Sequence, residues 1–454
     1  MKRIFLQTHG CQMNVHDSER MLGLMQAEGY SVASSAEDAD VVVINTCAVR
    51  EKPERKLLAE LGNLKRLKKA NPSLVIGVSG CMTPRDGDTI RAKAPHVDLL
   101  LGPRSIARLP ALVRQVELQR MPVDAVDLMD DPTPITPVRR TSTISAWVDV
   151  MFGCSFACTF CAVPSARGAE VSRAPLHVLG EIDELVQLGY KEVTLLGQTV
   201  NAYGRDFHYR LPLTPSLEKV TDDRERTDFA WLLRQIDNRA GDLRVRFTSP
   251  HPQLFNDRLI SAVAELPSVC EHVHLPLQSA DDTVLKNMKR AYNYSQFKAI
   301  VEKLRQAISG VAITTDIIVG FPGETDDQFR ATLRSFEEIE FDQAFMFIYS
   351  PRRHTEAHDF DGMITRDVAT ARMQELVETA NNLFRRKNQA QVGSEFEVLV
   401  EGVSEKNSHK LTGRTRQNKT MVFEGSRSLI GRLVNVTAEK GFMWGFEGGM
   451  RYEG

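Results

Sequence analysis

Met151-Phe152-Gly153-Cys154-Ser155-Phe156-Ala157-Cys158-Thr159-Phe160-Cys161 carries three cysteines in the spacing C-x3-C-x2-C. An apolar run, Ala146 to Phe152, precedes them and reads as a strand, so the cysteines sit on the loop leaving a strand end. That spacing holds three thiolates close enough to bind three corners of an iron–sulfur cube. Cluster ligation normally takes four thiolates, and no fourth cysteine lies nearby in the sequence. One iron then keeps an open position for a substrate or cofactor. The alternative is a structural zinc site, which needs four ligands, usually from two paired clusters. Cys158 and Cys161 have no second C-x2-C and no H-x3-5-H to complete one.

Downstream, strand-like runs recur at Glu192–Leu196, Leu243–Thr248, His272–Leu277, Ile313–Val319 and Ala344–Tyr349, with amphipathic helical patterns between them. Counting Ala146–Phe152, six βα units make an open, partial (β/α)6 version of the eight-stranded barrel. Active residues are then expected at the C-terminal strand ends. Polar or glycine motifs follow the strands there: Gly197-Gln198, Ser249-Pro250-His251-Pro252, Gln278-Ser279, and Asp316 through Gly320 to Glu324. A lone histidine is no signature, so His251 reads equally as a polar loop or core residue.

Upstream, three apolar runs each end in a cysteine. Arg3–Gln7 leads to Cys11, Val41–Ile44 to Cys47, and Leu74–Val78 to Cys81, with helical patterns over Asp17–Glu28 and Pro53–Lys69 between them. Alternating strands and helices predict a parallel sheet. Sites in such sheets form outside the carboxyl ends of the strands, so the three cysteines converge on a second metal site built from distant residues. Three unrelated core thiols are the plainer alternative; for Cys270 we adopt that reading.

At 454 residues, 42% hydrophobic and 26% charged, the chain predicts two or three globular domains. No apolar window is long enough to span a membrane, and the first residues read as a strand rather than a signal peptide. Seven cysteines are too sparse for a disulfide scaffold and favour a reducing, cytoplasmic setting. With a net charge of −2, nucleic-acid binding needs a local basic surface. The expected division is an N-terminal α/β domain (1–120), a proline- and aspartate-rich linker (121–143), the central domain (144–392) and a small β-barrel (393–454). Between Lys406 and Arg432 the barrel carries seven basic residues, including Lys410, Arg414, Arg416 and Lys419, against one acidic, Glu424. That one-sidedness favours phosphate contacts.

At its cysteine loop the chain resembles the radical S-adenosylmethionine (SAM) superfamily. There SAM chelates the open iron, and its reductive cleavage releases a 5′-deoxyadenosyl radical. Gly10-Cys11-Gln12-Met13-Asn14 with Asp17-Ser18-Glu19, Asn45-Thr46-Cys47-Ala48-Val49-Arg50 and Gly80-Cys81-Met82 are similar to the N-terminal domain of its methylthiotransferase family. The C-terminal segment resembles the TRAM domain, an RNA-binding module. The resemblance covers nearly the whole chain and implies two 4Fe-4S clusters, one SAM-binding on Cys154, Cys158 and Cys161, one auxiliary on Cys11, Cys47 and Cys81. It assigns no catalytic residue beyond these ligands. For SAM contacts it suggests Gly197, Gln198, Ser249, Gln278, Asp316 and Gly320, with Gln198 standing where the superfamily commonly has an acid.

For RNA contacts the same resemblance suggests Arg167 and Arg173, beside Lys410, Arg414, Arg416 and Lys419. Arg167 and Arg173 fall in Arg167-Gly168-Ala169-Glu170-Val171-Ser172-Arg173, preceded by Ala166 where the family commonly has threonine. Cys-Gln-Met-Asn resembles the branch that converts isopentenyl-adenosine beside the tRNA anticodon to its 2-methylthio derivative. Other branches act on threonylcarbamoyl-adenosine or on a ribosomal-protein aspartate. The implied partners are tRNA and a small electron-donor protein. The charged 205–228 insertion reads as a lid or as disordered.

Overall fold

The structure, a computed structural model, describes residues 1–47, 51–133, 136–207 and 227–450. Ala48, Val49 and Arg50 of the second motif, Pro134 of the expected linker and most of the 205–228 insertion lie outside these residues. The chain forms two compact units. One comprises Met1–Thr141, Asp149–His177 and Ser350–His358; the other comprises Ser142–Val148, Val178–Tyr349 and Asp359–Gly454.

The first unit is built on six strands, β1 (Arg3–Thr8), β2 (Ser31–Val32), β3 (Val41–Thr46), β4 (Val75–Gly80), β5 (Leu99–Leu101) and β6 (Val123–Ala125). They pair in parallel in the order β2-β1-β3-β4-β5-β6. Every residue of β3 and β4 is buried, as suits β-branched runs covered on both faces. Helices α1 (Gln12–Ala27), α2 (Glu51–Ala70), α3 (Thr83–Lys93) and α4 (Leu109–Gln119) follow β1, β3, β4 and β5. The chain leaves β1 towards β2 and returns on the other side to β3, so the strand order reverses between β1 and β3. A crevice opens at such a reversal, outside the carboxyl ends.

Three of these strands were expected. β2, β5 and β6 have two or three residues each, too few for a periodicity to register. β6 falls in the expected linker, where Val123 pairs with Leu99 and Ala125 with Leu101. Residues 136–141 of that linker are tied to α1. Arg20 Nε donates to Thr136 Oγ1 at 3.1 Å, Thr141 N donates to Glu19 Oε1 at 2.8 Å, and a Cβ on Gly23 would meet the Pro137 carbonyl at 2.2 Å. Residues 136–141 are therefore laid against a helix rather than strung free. The same unit holds β8 (Met151–Phe152), paired antiparallel with β9 (Val171–Ser172), and the short α5 (Val163–Arg167).

The second unit contains the partial barrel. β7 (Ser145–Asp149), β10 (Glu192–Leu196) and β11 (Arg244–Phe247) form one sheet; β12 (His272–His274), β13 (Ala312–Val319) and β14 (Gln343–Ile348) form the next. An isolated parallel bridge links Val245 of β11 to Val269, three residues before β12. Its helices start on well-made caps: Asp228, Asn256, Asn293 and Thr325 each accept from an amide three residues on, which defines helix starts sharply.

A long helix, α12 (Arg366–Gln389, after α6 to α11 at 175–187, 229–240, 257–265, 282–287, 294–307 and 326–339), leads to a closed barrel. This barrel comprises β15 (Glu395–Ser404), β16 (Asn407–Thr415), β17 (Thr420–Glu424), β18 (Leu433–Phe442) and β19 (Gly445–Gly449), in the order β15-β16-β17-β19-β18. Val398, Val400, Leu411, Met421, Phe423, Val436 and Phe446 fill it. The polar β16, inside the basic run, gives no strand pattern except that Leu411, Gly413 and Thr415 point inward. Among the described residues no helix is long and apolar enough to cross a membrane.

Candidate functional site

Cys11, Cys47 and Cys81 follow β1, β3 and β4, three neighbours in the sheet that flank the strand-order reversal. Cys11 is the N-cap of α1, which therefore starts well before the expected Asp17. The Cys47 thiol hydrogen-bonds the Cys11 sulfur; together with the Arg167 charge and the amides of Asn14 and Met13 it outweighs burial and lowers the Cys11 thiol to about 6. Burial raises Cys81 instead, although the nearby Arg167 guanidinium opposes it.

Below the thiols, Asn45 Nδ2 donates to the Asn14 carbonyl at 2.8 Å and to Ser18 Oγ at 2.9 Å, while Asn14 Nδ2 donates to Asn45 Oδ1 at 3.2 Å. These buried amides lock the first turn of α1 to the end of β3. Satisfied buried polar networks of this kind fix a unique geometry.

Cys154, Cys158 and Cys161 lie on the loop between β8 and α5. Cys154 is buried and the other two are half-exposed. The Cys154 amide donates to the Gly168 carbonyl at 3.0 Å, the Cys161 amide to the Cys158 carbonyl at 3.0 Å, and the Val163 amide to Cys161 Sγ at 3.5 Å. An amide aimed at sulfur suits a ligating thiolate. From the 3-10 turn Pro103–Arg108 after β5, Arg104 Nε donates to the Arg167 carbonyl at 2.8 Å and a terminal nitrogen reaches the Ala169 carbonyl.

Among the described residues no three His, Cys, Asp or Glu side chains converge as on a single metal ion. A four-iron cube takes one thiolate per iron, so its ligands need not meet at one point. All-sulfur donor sets with one thiolate missing fit such a cube.

Beside this loop lies a buried group with no local signal in the sequence. His16 Nε2 is 3.3 Å from Asp149 Oδ2, with Arg20 Nη1 at 3.8 Å. Burial raises the Asp149 carboxyl, and the His16, Arg20 and Arg173 charges only partly offset it. The arginines expected at RNA belong to the same interior. Arg173 Nη1 donates to the Asp149 carbonyl at 2.6 Å, and Arg167 Nη2 donates to Asp17 Oδ2 at 2.6 Å.

In the second unit the suggested SAM residues sit at successive strand ends, Gly197 and Gln198 after β10, Ser249 after β11, Gln278 after β12 and Gly320 after β13. Ser249 and Gln278 have left-handed backbone, φ 58° and 72°, which non-glycine residues adopt at a cost of about 1–3 kcal/mol and which clusters at functional sites. Asp316 Oδ2 lies 3.4 Å from His274 Nε2. The Gly320 amide donates to Glu324 Oε2 at 2.8 Å, and Arg372 pairs with the same oxygen at 2.8 Å. His251 is buried; its Nδ1 accepts from the Gln253 amide at 3.3 Å.

The barrel's cations are largely committed to the protein itself. Lys419 is 8% exposed; it donates to Asn388 Oδ1 at 2.8 Å and pairs with Asp342 at 3.1 Å. Arg416 binds Glu271, and Lys410 pairs with Glu447. Of the six cations expected at RNA, Arg414 keeps the most open side chain, 40% exposed, 3.7 Å from Glu401. Lys406, Arg427 and Arg432, counted in the basic run but not singled out, are exposed.

Three families match the chain in sequence: Uncharacterized protein family UPF0004 over residues 3–102, the Radical SAM superfamily over 148–336 and the TRAM domain over 389–441. Among solved structures, the radical SAM methyltransferase TsrM from Kitasatospora setae, with cobalamin and a [4Fe-4S] cluster bound, aligns with a TM-score of 0.56. It is 14% identical, and the alignment covers 79% of this chain and 74% of that one, a likeness of fold. The tRNA-2-methylthio-N(6)-dimethylallyladenosine synthase of Moorella thermoacetica is 42% identical over 98% of this chain and 97% of its own length. That of Bacillus subtilis is 41% identical over 99% of this chain and 86% of its own. With both relatives matched almost end to end, the chain belongs to the tRNA-2-methylthio-N(6)-dimethylallyladenosine synthase family.

Proposed function

We propose that this protein methylthiolates N6-dimethylallyl-adenosine (isopentenyl-adenosine) beside the tRNA anticodon, using two 4Fe-4S clusters and SAM. The observation that carries the reading is that one compact unit holds two sets of three cysteines, each one thiolate short of a closed cluster. The adenine C2–H bond is unactivated, so no side-chain base of ordinary pKa removes its hydrogen. When bound, the cluster with SAM supplies the radical for that step, and the auxiliary cluster presents the sulfur.

The chain's own contribution is to hold these groups. Cys154, Cys158 and Cys161 take the SAM cluster, on a loop held at the Cys154 amide by the Gly168 carbonyl, with Arg104 bracing the segment around Gly168. Cys11, Cys47 and Cys81 take the other, over the Asn14–Asn45 network. Ser249 and Gln278, held in costly backbone conformations, with Gly197, Gln198, Asp316 and Gly320, are the positions we assign to SAM. On the TRAM barrel the exposed Lys406, Arg427 and Arg432, with Arg414, supply phosphate contacts, which give affinity and register rather than base choice. A small redox protein delivers the electrons. Seven thiols and a tRNA substrate fit the cytoplasm.

Nucleoside mass spectrometry of tRNA from cells lacking the protein tests this. The expected result is loss of the 2-methylthio nucleoside and accumulation of the N6-dimethylallyl form, restored by wild type and not by Cys158→Ala. An unchanged nucleoside profile, or loss of the methylthio form of threonylcarbamoyl-adenosine instead, contradicts it.

A further inference from the structure

Arg167 lies six residues beyond Cys161, at the end of α5, yet its side chain ends among the strand-end cysteines. Its Nε donates to Cys81 Sγ at 3.2 Å and its Nη2 to Asp17 Oδ2 at 2.6 Å, and the residue is 3% exposed. Its carbonyl accepts from Arg104, and the next carbonyl, that of Gly168, accepts from the Cys154 amide. Two consecutive residues thus serve the two sets: the Gly168 carbonyl braces the first through the Cys154 amide, and the Arg167 side chain touches the second at Cys81. The Asp17 carboxylate, 2.6 Å from Nη2, is the counter-charge to this buried guanidinium.

We infer that Arg167 is a positioning residue that sets the reduction potential of the cluster on Cys11, Cys47 and Cys81, through its N–H···S hydrogen bond and its buried charge. The inference rests on the reading that those three cysteines hold a cluster. Hydrogen bonds to sulfur and local charge are among the factors that set cluster potentials. Reduction adds negative charge, so a buried cation beside a ligating sulfur favours the reduced form, and strongly where water is excluded. The fork of an arginine serves Cys81 and Asp17 together. A lysine has the charge but no fixed pair of donors.

The test uses the full chain with Cys154, Cys158 and Cys161 all changed to Ala, reconstituted with iron and sulfide without oxygen, so that only the strand-end cluster is present. Arg167→Met is added, and because it strands a buried Asp17, the neutral pair Asp17→Asn with Arg167→Met is made beside it. Iron per chain and the midpoint potential are read by an electron paramagnetic resonance titration.

Unchanged iron and a more negative potential are expected in both variants, with the smaller shift in the neutral pair, which loses the hydrogen bond to sulfur but also the Asp17 charge, and with Arg167→Lys between Arg167→Met and the parent. Unchanged potential and spectrum in both variants overturn the inference, as does loss of iron from both with the fold intact. A parent without any iron counts against the two-cluster reading itself, before any Arg167 variant is measured.

Discussion

Arg416 clasps Glu271 edge-on: its Nε lies 2.8 and 3.0 Å from the two carboxylate oxygens, and one terminal nitrogen lies 2.9 Å from the second of them. That terminal nitrogen also reaches the carbonyls of Pro267 and Val269 at 2.9 and 2.8 Å. Arg244 and Arg246, alternating along β11, complete the attachment by donating to the carbonyls of Glu397, Arg414, Thr415 and Arg416. The basic run is thus partly a seam between the TRAM barrel and the β11–β12 edge.

Stability and RNA affinity should therefore separate between arginines of the same run. Arg416→Ala is expected to cost about 1–3 kcal/mol in urea unfolding, because Glu271 and two carbonyls lose their donor. The pair Arg427→Ala and Arg432→Ala should stay within about 0.5 kcal/mol of wild type per site, while lowering the slope of log affinity for tRNA against log salt by up to about two. Equal stability of all three proteins contradicts the seam; an unchanged slope contradicts the assignment of the exposed pair.

Gly153 offers a second check, this time on the cysteine loop. Its φ is +73°, and a Cβ there would lie 2.0 Å from the Ala169 carbonyl oxygen, which is backbone and cannot swing away. Gly153→Ala should push the loop off β9 and cost more than the ~1 kcal/mol of an ordinary left-handed alanine. We expect the protein to lose about half its iron together with SAM cleavage, since one of two three-thiolate sites fails. Gly180, with nothing within 4 Å of an added Cβ, is the control. Full iron content in Gly153→Ala would show that the loop tolerates displacement.

The pH dependence of stability should carry a signature of His251. Burial, with the Arg290 and Arg205 charges, pushes its imidazole from 6.5 down to about 2. Between those values the unfolded chain binds the extra proton and the folded one does not, so stability is full above about 6.5 and falls as pH drops. At pH 5 the loss is about 2 kcal/mol relative to neutral pH. His251→Gln keeps an acceptor for the Gln253 amide and removes the titration. Unfolding free energies at pH 5 and 7.5 should therefore differ by about 2 kcal/mol less in the variant; an identical pH dependence refutes this.

Features were legible in the sequence where their physical signals are local. Cys154, Cys158 and Cys161 could be placed on one loop by their spacing; Cys11, Cys47 and Cys81 could be placed at three strand ends, because apolar runs mark strand ends and parallel strands align them. The partial barrel was legible for the same reason. Charge was visible but its use was not: Lys419 reads as an RNA contact until Asp342 and Asn388, far away in sequence, are seen to hold it. Arg104, Asp149 and His16 carried no signal at all, since each acts only through a partner brought close by the fold. β5 and β6 escaped because three residues carry no period.

The most direct measurement compares iron content and both products in one reaction of the Cys11→Ala, Cys47→Ala, Cys81→Ala triple variant with reduced protein, SAM and tRNA. The backbone of the Cys154–Cys161 loop is held by Gly168, and Arg104 braces the segment beyond it, none of which the substitutions remove. The variant should hold about half the wild-type iron, still release 5′-deoxyadenosine, and make no methylthiolated nucleoside. Wild-type iron content or full methylthiolation by that variant would contradict the two-cluster reading.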